Sequence, residues 1–323
     1  MKRSLYVALL FLIGLGWIVI PTSNICAQSY SNHTIQLITP GAPGLLQDIT
    51  CRQFAEEIGK IIGGQVIVVN KTGASMTLAA DAVVRSKKDG YTFLYASATP
   101  LVYAPVTNPK IVPYDPLKDL DPLGGELVWP LTVTVQEGSP WKTFNELIDY
   151  AKKNPEKLRM GSIGLGSTDN FNLTIIQSLT GTQFTHVPMS TAPALSLLGG
   201  HIELVMSPIT EVNSYVQAGK LRLLLLTSKL PRYPNVPTLT ELGYKQELIT
   251  GWLSFFAPTG IPEDVKKVWV AAIEKAFKDP ELRAKIERVD FSPVYKSPAE
   301  FKKMLEAEYK RANELADKIG LRK

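Results

Sequence analysis

The chain is short of the side chains on which most enzymes rely. Its 323 residues include two cysteines, Cys26 and Cys51, and three histidines, His33, His186 and His201. No H-E-x-x-H, paired-cysteine, EF-hand or G-x-S-x-G pattern is present. Gly164-Leu165-Gly166-Ser167 does not fit the last of these. Continued to Asp169, the same stretch mimics a dinucleotide fingerprint but carries Asp169 where the third glycine belongs. Asp115, Asp119 and Asp121 fall in a proline-rich stretch and read as solvated charges. These absences predict a protein that is not an enzyme and that needs no cofactor or metal. An excess of one charge is missing too. The net charge is +5, and lysines and arginines are spread out, with no stripe to follow a nucleic-acid backbone.

One apolar run stands out, Leu5–Ile20, and it is shorter than the roughly 20 residues a membrane span needs. It follows Met1-Lys2-Arg3 and gives way to the small, polar stretch Pro21–Ala27, the pattern of a secretory signal peptide. Residues 1–27 are therefore expected to be removed and the mature chain to be periplasmic. A lipoprotein site at Cys26 fits poorly with Asn24 and Ile25 before it. Cleavage after Ala27 takes away Lys2, Arg3 and no acid, leaving +3. It also leaves Cys51 alone, so no intramolecular disulfide can form. With no histidine placed by sequence to activate it, Cys51 reads as a buried structural thiol.

Thr34–Cys51 is the stretch around which the rest is organised. Ile35, Leu37 and Thr39 alternate with their neighbours as in a short strand. Pro40-Gly41-Ala42-Pro43-Gly44 stops regular structure, and Asp48 opens a helical pattern through Phe54, Ile58 and Ile62. A strand running through a glycine-rich loop into a helix N-terminus presents unpaired N–H groups and a positive dipole end, which suits an anion. The same pattern also fits a tight turn with no ligand.

The motif recurs. A strand at 65–70 enters Lys71–Met76 and a helix at 77–86, and Tyr91–Ser97 is a third strand. Ala104–Asp121 reads as an irregular surface connection. Leu127–Gln136 is a strand pair, or one long strand broken at Pro130. An amphipathic helix over 143–154 and a strand at 159–162 lead to a third glycine-rich loop, with Ser167, Thr168 and Asp169 as candidate N-caps. Strands at 184–187, 203–207 and 221–227, with short helices between them, complete a second α/β unit. A strand at 251–257 and helices at 262–277, 280–287 and 298–319 close the chain. Alternation at this spacing predicts α/β lobes with largely parallel sheets and ligands beyond the strand C-termini. Two lobes joined by two or three crossings would form a hinged cleft. Its loops offer neutral donors, backbone N–H groups and hydroxyls, which can hold a carboxylate without a buried cation.

Several segments together carry a family resemblance. They are ITPGAPG with Asp48, VVNKTGAS, DGYTFLYAS, VPYDPLKDLDPLG, the run from Phe144 to Thr168, HVP with APALSLLGG, the run from Ala218 to Tyr244, and GWLSFFAPTGIP. In this order the chain resembles the Bug family of periplasmic solute-binding proteins, the TctC-like receptors of tripartite tricarboxylate transporters. The resemblance covers about residues 34 to 310. It implies a two-lobe, Venus-flytrap, type II periplasmic binding fold, with lobe one at 28–127 plus 248–323 and lobe two at 128–247. It implies a monomer that binds a small organic acid and works with membrane permease subunits. By position it points to Ala42, Gly44, Leu45 and Asp48, to Thr72, Gly73 and Ala74, and to Ser97. In lobe two it points to Ser162, Gly166, Ser167 and Thr168, to Ser190, Thr191 and Ala192, and to Ser207.

There are departures from the family pattern. Leu45 replaces a glycine in the first loop, and Ala74-Ser75-Met76 replaces a run that usually ends in two glycines. Met189-Ser190-Thr191 lacks the usual aromatic and lysine. Larger, more apolar loops and a lost cation argue for a ligand less negative than citrate. Trp129 is a candidate for the cleft wall, and equally for the lobe core. Two other functions remain open, a ligand-presenting accessory to a sensor kinase and an exported hydrolase using Ser167.

Overall fold

The computed structural model describes residues 33–110, 112–164, 166–189 and 193–318. The expected signal peptide at 1–27 and the expected site residues Ser190, Thr191 and Ala192 lie outside these. The chain begins with β1 (Ile35–Thr39), α1 (Leu46–Ile62), β2 (Val66–Asn70), a 3₁₀ turn at Ala74–Met76, α2 (Thr77–Val84) and β3 (Thr92–Ser97). The helix α1 starts two residues before the expected Asp48. It buries Cys51, Phe54, Ala55, Ile58 and Ile62 on one face and ends on Gly63 in the left-handed conformation, φ 66°. Cys51 is fully buried and unpaired, as the sequence predicts.

After β3 the chain turns through Thr99–Tyr103 into α3 (Ala104–Thr107), every residue of which is buried. This corrects the expectation of a surface connection from Ala104. Pro100 and Pro105 sit in first-turn positions where no N–H is needed, so the prolines start helical turns here instead of preventing them. β4 (Leu120–Trp129) and β5 (Leu131–Gln136) follow, then α4 (Phe144–Lys153), β6 (Arg159–Ser162), α5 (Thr168–Thr180) and β7 (Thr185–Pro188). The chain continues with α6 (Pro193–Leu198), β8 (Leu204–Pro208), α7 (Ile209–Gln217) and β9 (Leu221–Leu226). It closes with β10 (Gly251–Pro258), α8 (Glu263–Lys278), α9 (Pro280–Glu287), β11 (Ser292–Val294) and α10 (Pro298–Lys318).

The strands form two sheets, ordered β11-β4-β10-β3-β1-β2 and β7-β6-β8-β5-β9. Pro130 is the step between them: β4 belongs to the first sheet and β5 to the second. Neither sheet is largely parallel, which corrects the sequence expectation. β1 is parallel to β2 and β3, and β6 to β7 and β8. β10 is antiparallel to both β3 and β4, and β5 is antiparallel to β8 and β9. The reason is the connectivity. β10 comes back from the second sheet and enters the first in the opposite direction to β3.

An aromatic core holds the first sheet to its helices. Phe93 stacks on Trp269 at 3.8 Å, and Phe54 packs on Phe277 and Phe255. On the first sheet's side, Glu308 of α10 accepts from Tyr103 and from Trp252 Nε1, the latter at 2.7 Å. Tyr103 in turn packs on Phe171 of α5. Asn172 holds the returning crossing at both ends of one residue, accepting from Ile249 N at 2.7 Å and donating to Ile249 O at 2.8 Å. The last two contacts, Tyr103 with Phe171 and Asn172 with Ile249, join α5 of the second lobe to the first.

Candidate functional site

The first loop is a closed hydrogen-bonded frame. Asp48 Oδ2 accepts from Gly44 N at 2.9 Å and Arg52 Nε at 3.0 Å, while Oδ1 accepts from Asn70 Nδ2 at 2.8 Å. The same Asn70 amide donates to Gly41 O at 2.7 Å, so the end of β2 is fastened to the loop after β1. Burial raises the Asp48 pKa, but the bonds from Arg52, Gly44 and Asn70 outweigh it, and Asp48 ionises below its ordinary value. With both oxygens engaged, Asp48 shapes the loop, and Gly44 N–H is committed to it. Ala42 is half-buried, while Gly44 and Leu45 are exposed, Leu45 by 57%.

The second loop is strained. Thr72, Gly73 and Ala74 are exposed, and Gly73 has φ 118°. Ala74, Ser75 and Met76 then take φ 47°, 52° and 70°, three consecutive non-glycine residues in the left-handed region. Each costs on the order of 1 kcal/mol there, and such strain gathers at functional sites. The turn brings Met76 Sδ within 3.7 Å of Ser97 Oγ at the end of β3. Met76 thus joins the expected site residue Ser97. Sequence reading noted Met76 as a departure from glycine, and it could not foresee the left-handed turn that places its sulfur.

In the second lobe, Ser167 caps α5, accepting from Asn170 N at 3.2 Å and donating to Gly164 O at 2.8 Å. Gly166, with φ 73°, is required: a Cβ there would lie 2.6 Å from Thr107 Oγ1 of α3. Thr168 Oγ1 lies 3.4 Å from Thr99 Oγ1. The α5 N-terminus therefore rests directly on the first lobe. Ser162, at the end of β6, is fully buried and sits 2.7 Å from His186 Nε2.

The surroundings fix the proton on that pair. Asn170 Oδ1 accepts from Gly166 N at 3.3 Å, which leaves its amide nitrogen towards His186 Nδ1 at 3.5 Å. An N–H facing Nδ1 makes Nδ1 the acceptor, so the imidazole proton is on Nε2 and is donated to Ser162 Oγ. Burial lowers the His186 pKa and keeps the ring neutral. This polarity is opposite to that of a serine activated by a histidine base. It leaves the Ser162 O–H as a donor. Ser207, the last expected residue, is buried at the end of β8 with no partner for Oγ among the described residues. Trp129 is 9% exposed, lies against Gly251 and sets its ring edge-on to Phe291.

Two sheets joined through Pro130 and the returning β10 crossing, with glycine-rich loops at their strand ends, define a two-lobe solute-binding protein. A family model described as "Tripartite tricarboxylate transporter family receptor" (TctC) matches residues 50–321, and the chain belongs to this family. A Cupriavidus necator protein, "UPF0065 protein in gbd 5'region", is 32% identical over 301 residues, covering 92% of this chain and 90% of that one. Protein BugT of Bordetella pertussis is 27% identical over 315 residues, covering 96% and 95%. Among solved structures, periplasmic binding protein BugD superposes with a TM-score of 0.80 at 26% identity, covering 91% of this chain and all but 1% of that one (99%). A structure of a periplasmic transporter gives a TM-score of 0.83 at 29% identity, covering 91% and 99%. The fold is the two-lobe periplasmic binding fold that the resemblance implies.

Proposed function

We propose that the mature chain, residues 28–323, is an extracytoplasmic receptor that captures a small organic acid between its lobes for a tripartite tricarboxylate transporter. Lobe one is assigned to 28–127 plus 248–323 and lobe two to 128–247. The first two loops of lobe one, at Ala42–Leu45 and Thr72–Ala74, face the acid's carboxylate, with Ser97 behind them. Ser162, Gly166, Ser167 and Thr168 close on it from lobe two, together with Ser190, Thr191, Ala192 and Ser207. The protein acts as a monomer exported by its signal peptide, has no catalytic role, and hands its ligand to the permease subunits.

The observation that carries this reading is the polarity of the Ser162–His186 pair. A neutral imidazole donating to Ser162 leaves the serine O–H as a donor, held in this structure only by the long 3.5 Å bond to Gly164 O that an anionic oxygen could replace, and no base to activate it. The arrangement suits holding an oxyanion and does not suit acyl transfer. The same fold carries adipate in a solved protein of R. palustris. No lysine or arginine stands among the proposed ligand residues, which favours an acid of lower charge than a tricarboxylate.

The test is a thermal-shift screen of residues 28–323 against mono-, di- and tricarboxylates, aromatic acids and amino acids. Ligand binding to the folded state alone adds about 2.7 kcal/mol at a hundredfold excess over Kd, which is readily seen. One acid class shifting the transition is the expected result. A transition unmoved by every acid, with no bound acid detected by mass spectrometry of the denatured protein, would overturn the reading.

A further inference from the structure

The turn between α9 and β11 carries an aspartate in a conformation that helix ends most often give to glycine. Asp290 has φ 63°, and its N–H bonds to Glu287 O at 3.2 Å. Its side chain is 11% exposed, and both carboxylate oxygens are taken by the other lobe. Oδ1 accepts from Arg232 Nη1, and Oδ2 accepts from Asn213 Nδ2 of α7. Tyr233 OH donates to Asn213 Oδ1, which turns the Asn213 amide nitrogen towards Asp290. Tyr233 and α7 both pack on the smaller core of the second lobe, so the donors are fixed parts of that lobe.

Strand register puts this contact in line with the two crossings. Ser292 of β11 pairs with Val128 of β4, and Trp129 of β4 pairs with Gly251 of β10. Leu253 of β10 pairs in turn with Ser97, the last residue of β3. One end of the first sheet therefore presents, in order, Asp290, the crossing at Trp129 and Pro130, the returning crossing at Ile249 to Gly251, and Thr99. Phe291 sets its ring edge-on to Trp129 at 5.0 Å, directly beside the first crossing. At the other end of the row α5 rests on the first lobe. Thr168 Oγ1 lies 3.4 Å from Thr99 Oγ1, and Gly166 has no room for a Cβ against Thr107.

Two crossings side by side leave the second lobe two motions, a bend and a sideways swing in the plane of the sheet. The outer contacts oppose the swing. Turned one way, it lifts α5 from Thr99 and Thr107. Turned the other way, it draws Arg232 and Asn213 from Asp290. A bend about the line through the row parts neither. We propose that Asp290, Arg232 and Asn213 form an interlobe clasp which, with the seat of α5, restricts the hinge to that single bend. Hydrogen bonds to a carboxylate are the stronger kind, and opening the clasp strips both oxygens of Asp290 at once. None of the three residues is among the proposed ligand contacts, so the clasp governs how the lobes meet and leaves the chemistry of the cleft alone.

The test reads the mature protein without ligand. Spin labels at Lys153→Cys in α4 and Lys303→Cys in α10, both exposed positions and one in each lobe, report the interlobe distance by double electron–electron resonance. Cys51 is buried and does not take the label. One narrow distance peak is expected in this labelled parent. Asp290→Gly removes the carboxylate in a residue that keeps the left-handed backbone, and is expected to broaden or split the peak. Arg232→Gln withdraws the charged partner from lobe two and is expected to broaden it less, since the Asn213 bond remains. Glu203→Gln breaks the 2.6 Å pair with Arg159 inside lobe two and is expected to leave the peak unchanged. A peak already broad in the parent, a peak as narrow in Asp290→Gly as in the parent, or equal broadening in Glu203→Gln would each overturn the proposal. None of these results depends on which acid binds, so the clasp and the reading of the cleft stand or fall separately.

Discussion

Ser162 Oγ and His186 Nε2 stand 2.7 Å apart, and Asn170 decides which of them donates. Because the histidine gives its proton to the serine, the serine hydroxyl is left as a donor, with Gly164 O its acceptor at 3.5 Å. Replacing His186 by alanine removes that constraint and leaves a buried hydroxyl short of one partner. Loss of such a bond is worth about 1–3 kcal/mol. His186→Ala is expected to weaken ligand binding by about tenfold, while His186→Gln, whose amide can also donate to Ser162, restores much of it. Titration calorimetry on the two variants checks this. Equal losses in both would show that the ring acts through packing alone.

Asn70 fastens two loops by a single amide, donating to Gly41 O and Asp48 Oδ1. Asn70→Ala leaves Gly41 O without this donor and Asp48 Oδ1 with Arg52 alone, in a partly buried place, and a destabilisation of about 1–3 kcal/mol is expected in urea unfolding. Asp48 adds a pH signature. Its folded pKa is depressed, so its contribution is present above the unfolded value and is lost as pH falls through the folded one. Asp48→Asn is expected to remove that acid limb, and a wild-type slope preserved in the variant would contradict the account.

Ala74, Ser75 and Met76 hold left-handed backbone without glycine. Ala74→Gly relieves the first of these positions and is expected to raise stability by about 0.5–1 kcal/mol, since the greater freedom of glycine in the unfolded chain offsets part of the relief. Met76→Gly also withdraws the sulfur from Ser97. It is expected to broaden the range of acids that shift the melting transition, by opening the space beside Ser97. A stability unchanged in Ala74→Gly would mean that the loop relaxes to the left-handed form at no cost.

Much of this architecture is legible in the sequence because it is local. The strands at Ile35–Thr39 and Arg159–Ser162, the helix Pro280–Glu287, and the cap of α5 at Ser167, one of three candidates, follow from periodicity and N-cap chemistry. What sequence did not yield depends on contacts far apart in the chain. β11 is three residues long and exists through its pairing with β4. The antiparallel entry of β10 is set by the return from the second lobe. The buried helix Ala104–Thr107 reads as the start of an irregular surface connection until α10 is seen to cover it. The site divides in the same way. The glycine-rich loops announce themselves, whereas His186 becomes a site residue through Ser162, 24 positions earlier. Glu211, in the first turn of α7, gives no local signal of the burial of its carboxyl, since a glutamate there is what any solvated helix carries.

Glu211 also offers the sharpest measurement on the unliganded protein. Burial pushes its pKa up from 4.5 to about 7. A raised folded pKa favours the protonated form in the native state, so the stability associated with it is fully present below the unfolded value. That stability is lost as pH rises towards and through the folded pKa. At about 1.4 kcal/mol per pKa unit, this one carboxyl is expected to withdraw ~3 kcal/mol between acid and mildly alkaline pH. Glu211→Gln cannot ionise and should lack that decline, so the difference in unfolding free energy between variant and wild type should grow in the variant's favour from pH 5 to pH 8, the window set by about 4.5 and about 7. Urea titrations of both proteins at the two ends of the window read it directly. A difference independent of pH would place the Glu211 carboxyl in water.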